Sequence, residues 1–334
     1  MTQTGSSDEG CGRRPDVSVI VPTRNRAALL ERLLQQIFRF DQGLQYEVIV
    51  VDEGSTDRTS ALLEELGRSR QLTVIRHSVP VGLSEARNVG IRASSGRYVA
   101  WIDDDDLTST DRLRRQFDSL ESSGLRWSCA GRVDIDDDLR IIGHVPCPPT
   151  SDFLRRILAF NILPTAGDGL LVDRDLLDEI GEFDRNLDSA EDWDLCIRLA
   201  SRAEPHMLDE PLVAYRTGVA SMSTNTRRME AAIRVVLQKN RSLRETHRVE
   251  PDWAAIHRSL LAADLLNSRR DATRRAAKLF WVAPTLTNAL RCAAALLTPG
   301  RLARHSATRR ISKVPEGWRR AARMWLDQIP LQSP

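Results

Sequence analysis

Two acidic clusters carry the residue types best suited to chemistry. Asp103, Asp104, Asp105 and Asp106 follow the apolar run Tyr98-Val99-Ala100-Trp101-Ile102. Four adjacent carboxylates repel one another unless a cation or solvent screens them. Hard oxygen donors in a loop suit Mg²⁺ or Mn²⁺ bridging a diphosphate. The plainer alternative is a solvated acidic turn that caps a helix starting at Asp111, since charge runs are usually solvated. Placement at the end of a buried strand favours the metal reading. The second cluster, Glu191-Asp192-Trp193-Asp194, opens a helical pattern. A carboxylate at a cleft can take a proton from an acceptor hydroxyl as general base. Equally, Ser189 three residues before Asp192 resembles a capping arrangement, and first-turn acids complement the helix dipole. The residues alone leave both readings open.

The surrounding pattern says what would position these groups. Residues 17–21 (Val-Ser-Val-Ile-Val), 47–51, 72–76 and 98–102 read as short buried strands, and 26–39, the segment after Thr56-Asp57, and 85–93 read as helices between them. Strands alternating with helices imply parallel pairing through crossovers, and all-apolar strands imply a sheet covered on both faces. Ligands of such sheets bind outside the carboxyl ends of the strands. Pro22-Thr23-Arg24-Asn25, Asp52-Glu53-Gly54-Ser55 and Asp103 to Asp106 all fall at that edge. Further on, helices are expected over 111–122, 151–160 and 191–200. Strands are expected near 126–133, 140–145, 169–172 and 206–215.

Length and charge bound the organisation. The 334 residues allow roughly two domains. The net charge of +2 conceals an asymmetry: 22 basic and 8 acidic residues from Arg227 onward give +14, against −12 before it. The pattern becomes helical there, with no nucleic-acid module, so no nucleic acid is expected as partner. Residues 1–15 read as a disordered leader, 16–226 as a catalytic domain with a nucleotide-binding half (16–106) and an acceptor half (107–226), and 227–334 as a basic helical tail. The start carries no signal-peptide pattern, and no apolar stretch is long enough to span a bilayer. Five scattered cysteines show no metal or disulfide spacing. These features point to the cytoplasm. Trp318, Trp325 and Ile329 fall on one face of a final helix, with Arg319, Arg320 and Arg323 at its flanks. That face either packs inward or meets an anionic membrane peripherally, on its inner side.

Six motifs in order over about 200 residues resemble the family 2 glycosyltransferases, which have the GT-A fold. Residues 17–25 resemble the family's opening strand, and Val50-Val51-Asp52-Glu53-Gly54-Ser55-Thr56-Asp57 its V-D-D-G-S-x-D turn. Gly82-Leu83-Ser84-Glu85-Ala86-Arg87-Asn88-Val89-Gly90 is similar to its G-x-x-x-A-R-N-x-G segment. Asp103 to Asp106 occupy the place of its D-x-D metal motif, Glu191-Asp192-Trp193-Asp194-Leu195 that of its E-D-W-D-L helix, and Tyr215-Arg216 resembles a later Y-R element. The resemblance implies a GT-A-type doubly wound, mainly parallel sheet with helices on both faces, followed by a C-terminal helical region. It implies an inverting, metal-assisted enzyme moving a sugar from a nucleoside diphosphate to a hydroxyl of an unidentified acceptor. Pro22, Thr23, Arg24, Asn25, Asp52, Glu53, Arg87, Asp103 and Asp104 would line the nucleotide site. Asp105 and Asp103 would hold Mg²⁺ or Mn²⁺, Asp192 would be the base, and Glu191, Trp193 and Arg216 would meet diphosphate or acceptor.

Two departures bear on substrate. Glu53 stands where the family usually has a second Asp, which bears on the choice among UDP (favoured), dTDP and GDP donors. After Arg216, where many relatives have a histidine, Thr217, Gly218, Val219 and Ala220 offer none. A sugar-phosphate nucleotidyltransferase would need a glycine-rich phosphate loop after the first strand, and 22–25 contain no glycine. A catalytically silent sugar-nucleotide-binding protein would not need Asp103, Asp105 and Asp192 together.

Overall fold

The computed structural model describes residues 14–40, 43–69, 72–165, 167–217, 225–267, 269–297 and 313–329. All but the last two residues of the expected leader lie outside this set. The strands are β1 (Val17–Thr23), β2 (Tyr46–Asp52), β3 (Thr73–Arg76), β4 (Tyr98–Trp101), β5 (Leu107–Thr108), β6 (Trp127–Ile135), β7 (Ile141–Val145), β8 (Leu170–Asp173) and β9 (His206–Arg216). Helices of the first half are α1 (Ala27–Ile37), α2 (Thr59–Ser69), α3 (Leu83–Ala93) and α4 (Arg112–Ser123). After them come α5 (Phe153–Ala159), α6 (Arg174–Ile180) and α7 (Glu191–Ala200). The tail carries α8 (Thr226–Lys239), α9 (Arg241–His247), α10 (Trp253–Asn267), α11 (Arg269–Val282), α12 (Leu286–Leu297) and α13 (Glu316–Leu326).

The strands form one sheet in the order β3-β2-β1-β4-β8-β6-β9-β5, with β7 on β6. Pairing is parallel from β3 through β4, as the βα alternation requires. Beyond β4 the sheet is mixed: β8 is antiparallel to both β4 and β6, β6 is parallel to β9, and β5 and β7 pair antiparallel to β9 and β6. The parallel half is therefore the nucleotide-binding half of the sequence reading.

Side chains along β1 alternate between two cores. Val17, Val19 and Val21 pack with Leu30, Leu33 and Leu34 of α1 and Leu113 of α4, whereas Ile20 joins Val99, Trp101 and the packing of α5 to α7. Helix α3 approaches β1 at Gly90, where a Cβ would lie 2.3 Å from Ile20 Cγ2. Ile233 and Val236 of α8 and Ile256 and Leu260 of α10 enter the same core as α7, so the start of the tail packs on the catalytic sheet. Trp325, Ala322 and Leu326 of α13, with Ile329 beyond it, pack on Leu107, Val133, Ile135 and Ala214. The Trp325 indole donates to the Pro211 carbonyl at 2.9 Å. The inward alternative for that face is the one the structure displays. Among the described residues no helix is long and apolar enough to cross a membrane.

Candidate active site

The turns that end β1, β2 and β4 meet at one edge of the sheet. Asn25 adopts a left-handed φ of 54° after β1. Its side-chain oxygen accepts the Thr56 N–H at 2.7 Å and its own N–H donates to Ser55 Oγ at 2.9 Å, tying the first turn to the second. Asp52 is fully buried and accepts the Ser55 N–H. Glu53 turns one carboxylate oxygen to the N–H groups of Val81 and Gly82, at 3.2 and 2.8 Å, and so holds the entrance to α3.

The four aspartates after β4 divide into two kinds. Asp103 and Asp105 keep 27% and 18% of their side chains exposed, whereas Asp104 keeps 5%. Asp104 accepts Thr23 Oγ1 and the Arg26 guanidinium, each at 2.7 Å. Burial pushes its pKa up to about 6, against the pull of Arg26. Asp105 lies 2.8 Å from the same guanidinium. Asp106 is buried, accepts the Arg216 N–H at 2.9 Å and is hydrogen-bonded to Asp168. Burial raises the pKa of both members of that pair. Asp168 also accepts the Asp103 N–H at 2.8 Å.

Arg87 links this edge to α7. It is 1% exposed, donates to Asp103 and to Glu191 at 2.7 Å each, and lies 5.3 Å over the Phe183 ring. One helical turn fixes the whole approach: Ser84 donates to the Leu187 carbonyl, and Asn88 bonds both the N–H and the carbonyl of Phe183. This holds the 183–191 loop against α3, since residues three and four apart share a helix face.

The acids of α7 are consequently sorted by partner. Glu191 is held by Arg87; Asp194 is fully buried and held by Arg198 and Lys239, each at 3.0 Å. Asp192 makes no ion pair among the described residues and keeps 7% of its surface exposed. Burial first, then the neighbouring Glu191, push its pKa up to about 7. Helix α7 begins after Ala190 in a left-handed conformation with no side-chain cap, so Ser189 and Asp192 do not form a capping arrangement.

Residues 18–181 match the family described as glycosyl transferase family 2. These residues form a domain of that family. An uncharacterized glycosyltransferase of Haemophilus influenzae is 28% identical over 225 residues, covering 65% of this chain and 74% of the relative. The match spans only about a third of several other curated relatives. Two solved structures share the fold. Residues 1–349 of TarS from S. aureus, in complex with UDP-GlcNAc, give a TM-score of 0.52 at 18% identity, over 94% of this chain and 89% of that one. The mannosyltransferase PcManGT from Pyrobaculum calidifontis, in complex with GDP-Man and Mn²⁺, gives 0.53 at 20% identity, over 94% and 86%.

For this glycosyltransferase the structure gathers Thr23, Glu53, Arg87, Asp103 to Asp106, Glu191, Asp192 and Arg216 around one edge. It corrects the expectation for Trp193, whose indole is 1% exposed in the core and donates to the Ile157 carbonyl at 2.8 Å. Helical spacing turns Trp193 into the core while Glu191 meets Arg87. Thr23 and Arg87, expected at the nucleoside, hold Asp104, Asp103 and Glu191. Arg24 and Asn25 are exposed on the β1 turn, and Pro22 is buried within the strand. Two residues of the transferase site went unread in the sequence. Arg26 directly follows the first cluster, and Asp168 is a lone acid beside Gly167, whose φ is 108°.

The donor set fits a divalent ion. Asp103 and Asp105, one residue apart, are the two most exposed carboxylates of the turn. No group of three or more ligating side chains occurs among the described residues. One or two carboxylates completed by phosphate oxygens and water is the usual setting for Mg²⁺ in nucleotide sites.

Proposed function

We propose that the protein transfers a sugar from a nucleoside diphosphate donor to an acceptor hydroxyl, with inversion at the anomeric carbon. The observation that carries this reading is Asp192, an acid of α7 that makes no ion pair among the described residues and whose pKa is pushed up to about 7 by burial and then by Glu191. In the proposed reaction its carboxylate takes the acceptor hydroxyl proton. The acceptor oxygen bonds to the anomeric carbon as the bond to the diphosphate oxygen breaks, and the nucleoside diphosphate departs with that electron pair. One base and a single displacement suffice, so attack comes from the face opposite the leaving group. Arg87 fixes Glu191 and Asp103 so that base and donor edge keep their spacing.

Asp103 and Asp105 would hold Mg²⁺ or Mn²⁺, which when bound supplies positive charge beside the diphosphate. TarS in complex with UDP-GlcNAc and PcManGT in complex with GDP-Man and Mn²⁺ support a nucleotide-sugar donor and a metal. UDP-sugars are the favoured donors, with dTDP and GDP as alternatives at Glu53. A thermal-shift screen of nucleotide sugars with and without Mn²⁺ tests the reading. A matching donor at about 100 times its Kd stabilises by about 2.7 kcal/mol. The expected result is a Mn²⁺-dependent shift with one donor and slow release of its nucleoside diphosphate. No shift and no release with any nucleotide sugar would refute the reading.

A further inference from the structure

The strongest unexplained surface lies on α11 and α12, away from the catalytic edge. Helix α12 is apolar on two faces. One carries Ala295 against Ala272, Ala276 and Leu279 of α11. The other carries Leu286, Leu290 and Leu297, which are 78%, 62% and 71% exposed. Their spacing, with exposed Ala293 between the last two, is i, i+4, i+7, i+11, a single helical stripe. The last turn of α11 leads into it with Trp281, which is 85% exposed. A soluble surface rarely leaves such a stripe bare unless something covers it.

The hairpin sequence is mainly basic: residues 272–297 contain four Lys and Arg and no Asp or Glu, with Asp271 in the first turn of α11. Arg275 and Lys278 are paired with Glu230 of α8. On α11 the exposed positions run Arg270, Arg274, Lys278 and Trp281, again at helical spacing. Neither Arg270 nor Arg274 is ion-paired among the described residues. A protein partner's surface usually mixes both signs, whereas a bilayer of acidic lipids offers phosphate over hydrocarbon. Arginine stems cover apolar surface while their heads meet phosphate, and tryptophan sits at headgroup depth. Helix α12 has 12 residues, so it is about 18 Å long. That is too short to cross a hydrocarbon core of about 30 Å and suited to lying in the interface.

We propose that the α11–α12 hairpin is a docking surface for anionic bilayers, with the Leu286–Leu290–Leu297 stripe and Trp281 inserted and the α11 cations on lipid phosphate. This surface is separate from α13, whose tryptophans are packed inward, and it does not depend on the glycosyl-transfer reading.

Flotation of the full chain with phosphatidylglycerol–phosphatidylcholine vesicles tests it without nucleotide or acceptor. The wild type should float at low salt, and should stay at the bottom with pure phosphatidylcholine or at high salt. Leu290→Glu and Trp281→Ser should each lower partitioning about tenfold or more. Arg270→Gln with Arg274→Gln, which leaves all apolar packing intact, should lower it about 25-fold, at about fivefold per cation. All variants should keep the wild-type melting temperature, and Met324→Glu on α13 should float as the wild type does. Absence of wild-type flotation on anionic vesicles at low salt would overturn the proposal. So would flotation that none of these hairpin variants weakens, or a dimer that Leu290→Glu dissociates in a protein that binds no vesicles.

Discussion

The Arg26 guanidinium stands 2.8 Å from the Asp105 carboxylate, in the place where a cation is expected to sit. It is shared with Asp104 at 2.7 Å, and 31% of the Arg26 side chain is exposed. The protein thus neutralises its own metal-type carboxylates with a residue that has room to move outward. Replacing it by Arg26→Gln should strengthen Mn²⁺ binding to the nucleotide-free protein by about tenfold, since a like charge near 4 Å weakens a cation site by kcal/mol amounts. Electron paramagnetic resonance of free Mn²⁺ reads this directly. Unchanged or weaker binding would show that Arg26 does not compete with the ion.

Asp105→Asn should nearly abolish transfer while keeping the wild-type melting temperature. It removes charge at the partly exposed end of the aspartate run and no core packing. Full wild-type activity in excess chelator would contradict the role given to Asp103 and Asp105.

Gly90 sets the distance between α3 and β1. A methyl group there would meet Ile20 Cγ2 at 2.3 Å, so Gly90→Ala should destabilise by about 1–3 kcal/mol. Because Arg87 and Asn88 ride on the same helix, donor binding should weaken along with stability. A melting temperature equal to wild type would show that the helix shifts freely.

Much of this architecture is legible in the sequence, for physical reasons that also mark its limits. The apolar runs of β1, β2 and β4 are buried on both sides, so composition alone reveals them, and their polar ends fall together because parallel strands share a direction. Strand β5 has two residues and exists through its pairing with Ala214 and Val213, so no local pattern announces it. The α6 helix escaped notice for its shortness. Arg26 and Asp168 act through partners 78 or 79 and 65 residues away, which spacing along the chain does not display. Trp193 misled because it shares a motif with Glu191 and Asp192 while its own indole lies in the core.

Asp192 links activity to stability. Burial and Glu191 raise its folded pKa to about 7, above the unfolded value of about 3.9. Between those values the native state binds a proton the unfolded chain has released, so this contribution favours folding at the acid end and is lost as pH rises through about 7. Asp192→Asn should therefore melt higher than wild type at about pH 8 and nearly with it at about pH 4. Wild-type turnover should rise with pH through about 7. Equal melting temperatures at both pH values would contradict the raised pKa.

Deleting residues from Pro315 onward should lower the melting temperature by several degrees. It strips Trp325, Ala322 and Leu326 from Leu107, Val133 and Ala214, and removal of one buried tryptophan typically costs about 3–5 kcal/mol. An unaltered melt would place α13 outside the folded core.

The most direct test of the account is the turnover of Asp192→Asn set beside its donor affinity. The substitution keeps the shape of the side chain and removes its basicity. Donor binding should stay close to wild type and turnover should fall by about 10²-fold or more. Near-normal turnover with intact donor binding would contradict Asp192 as the base.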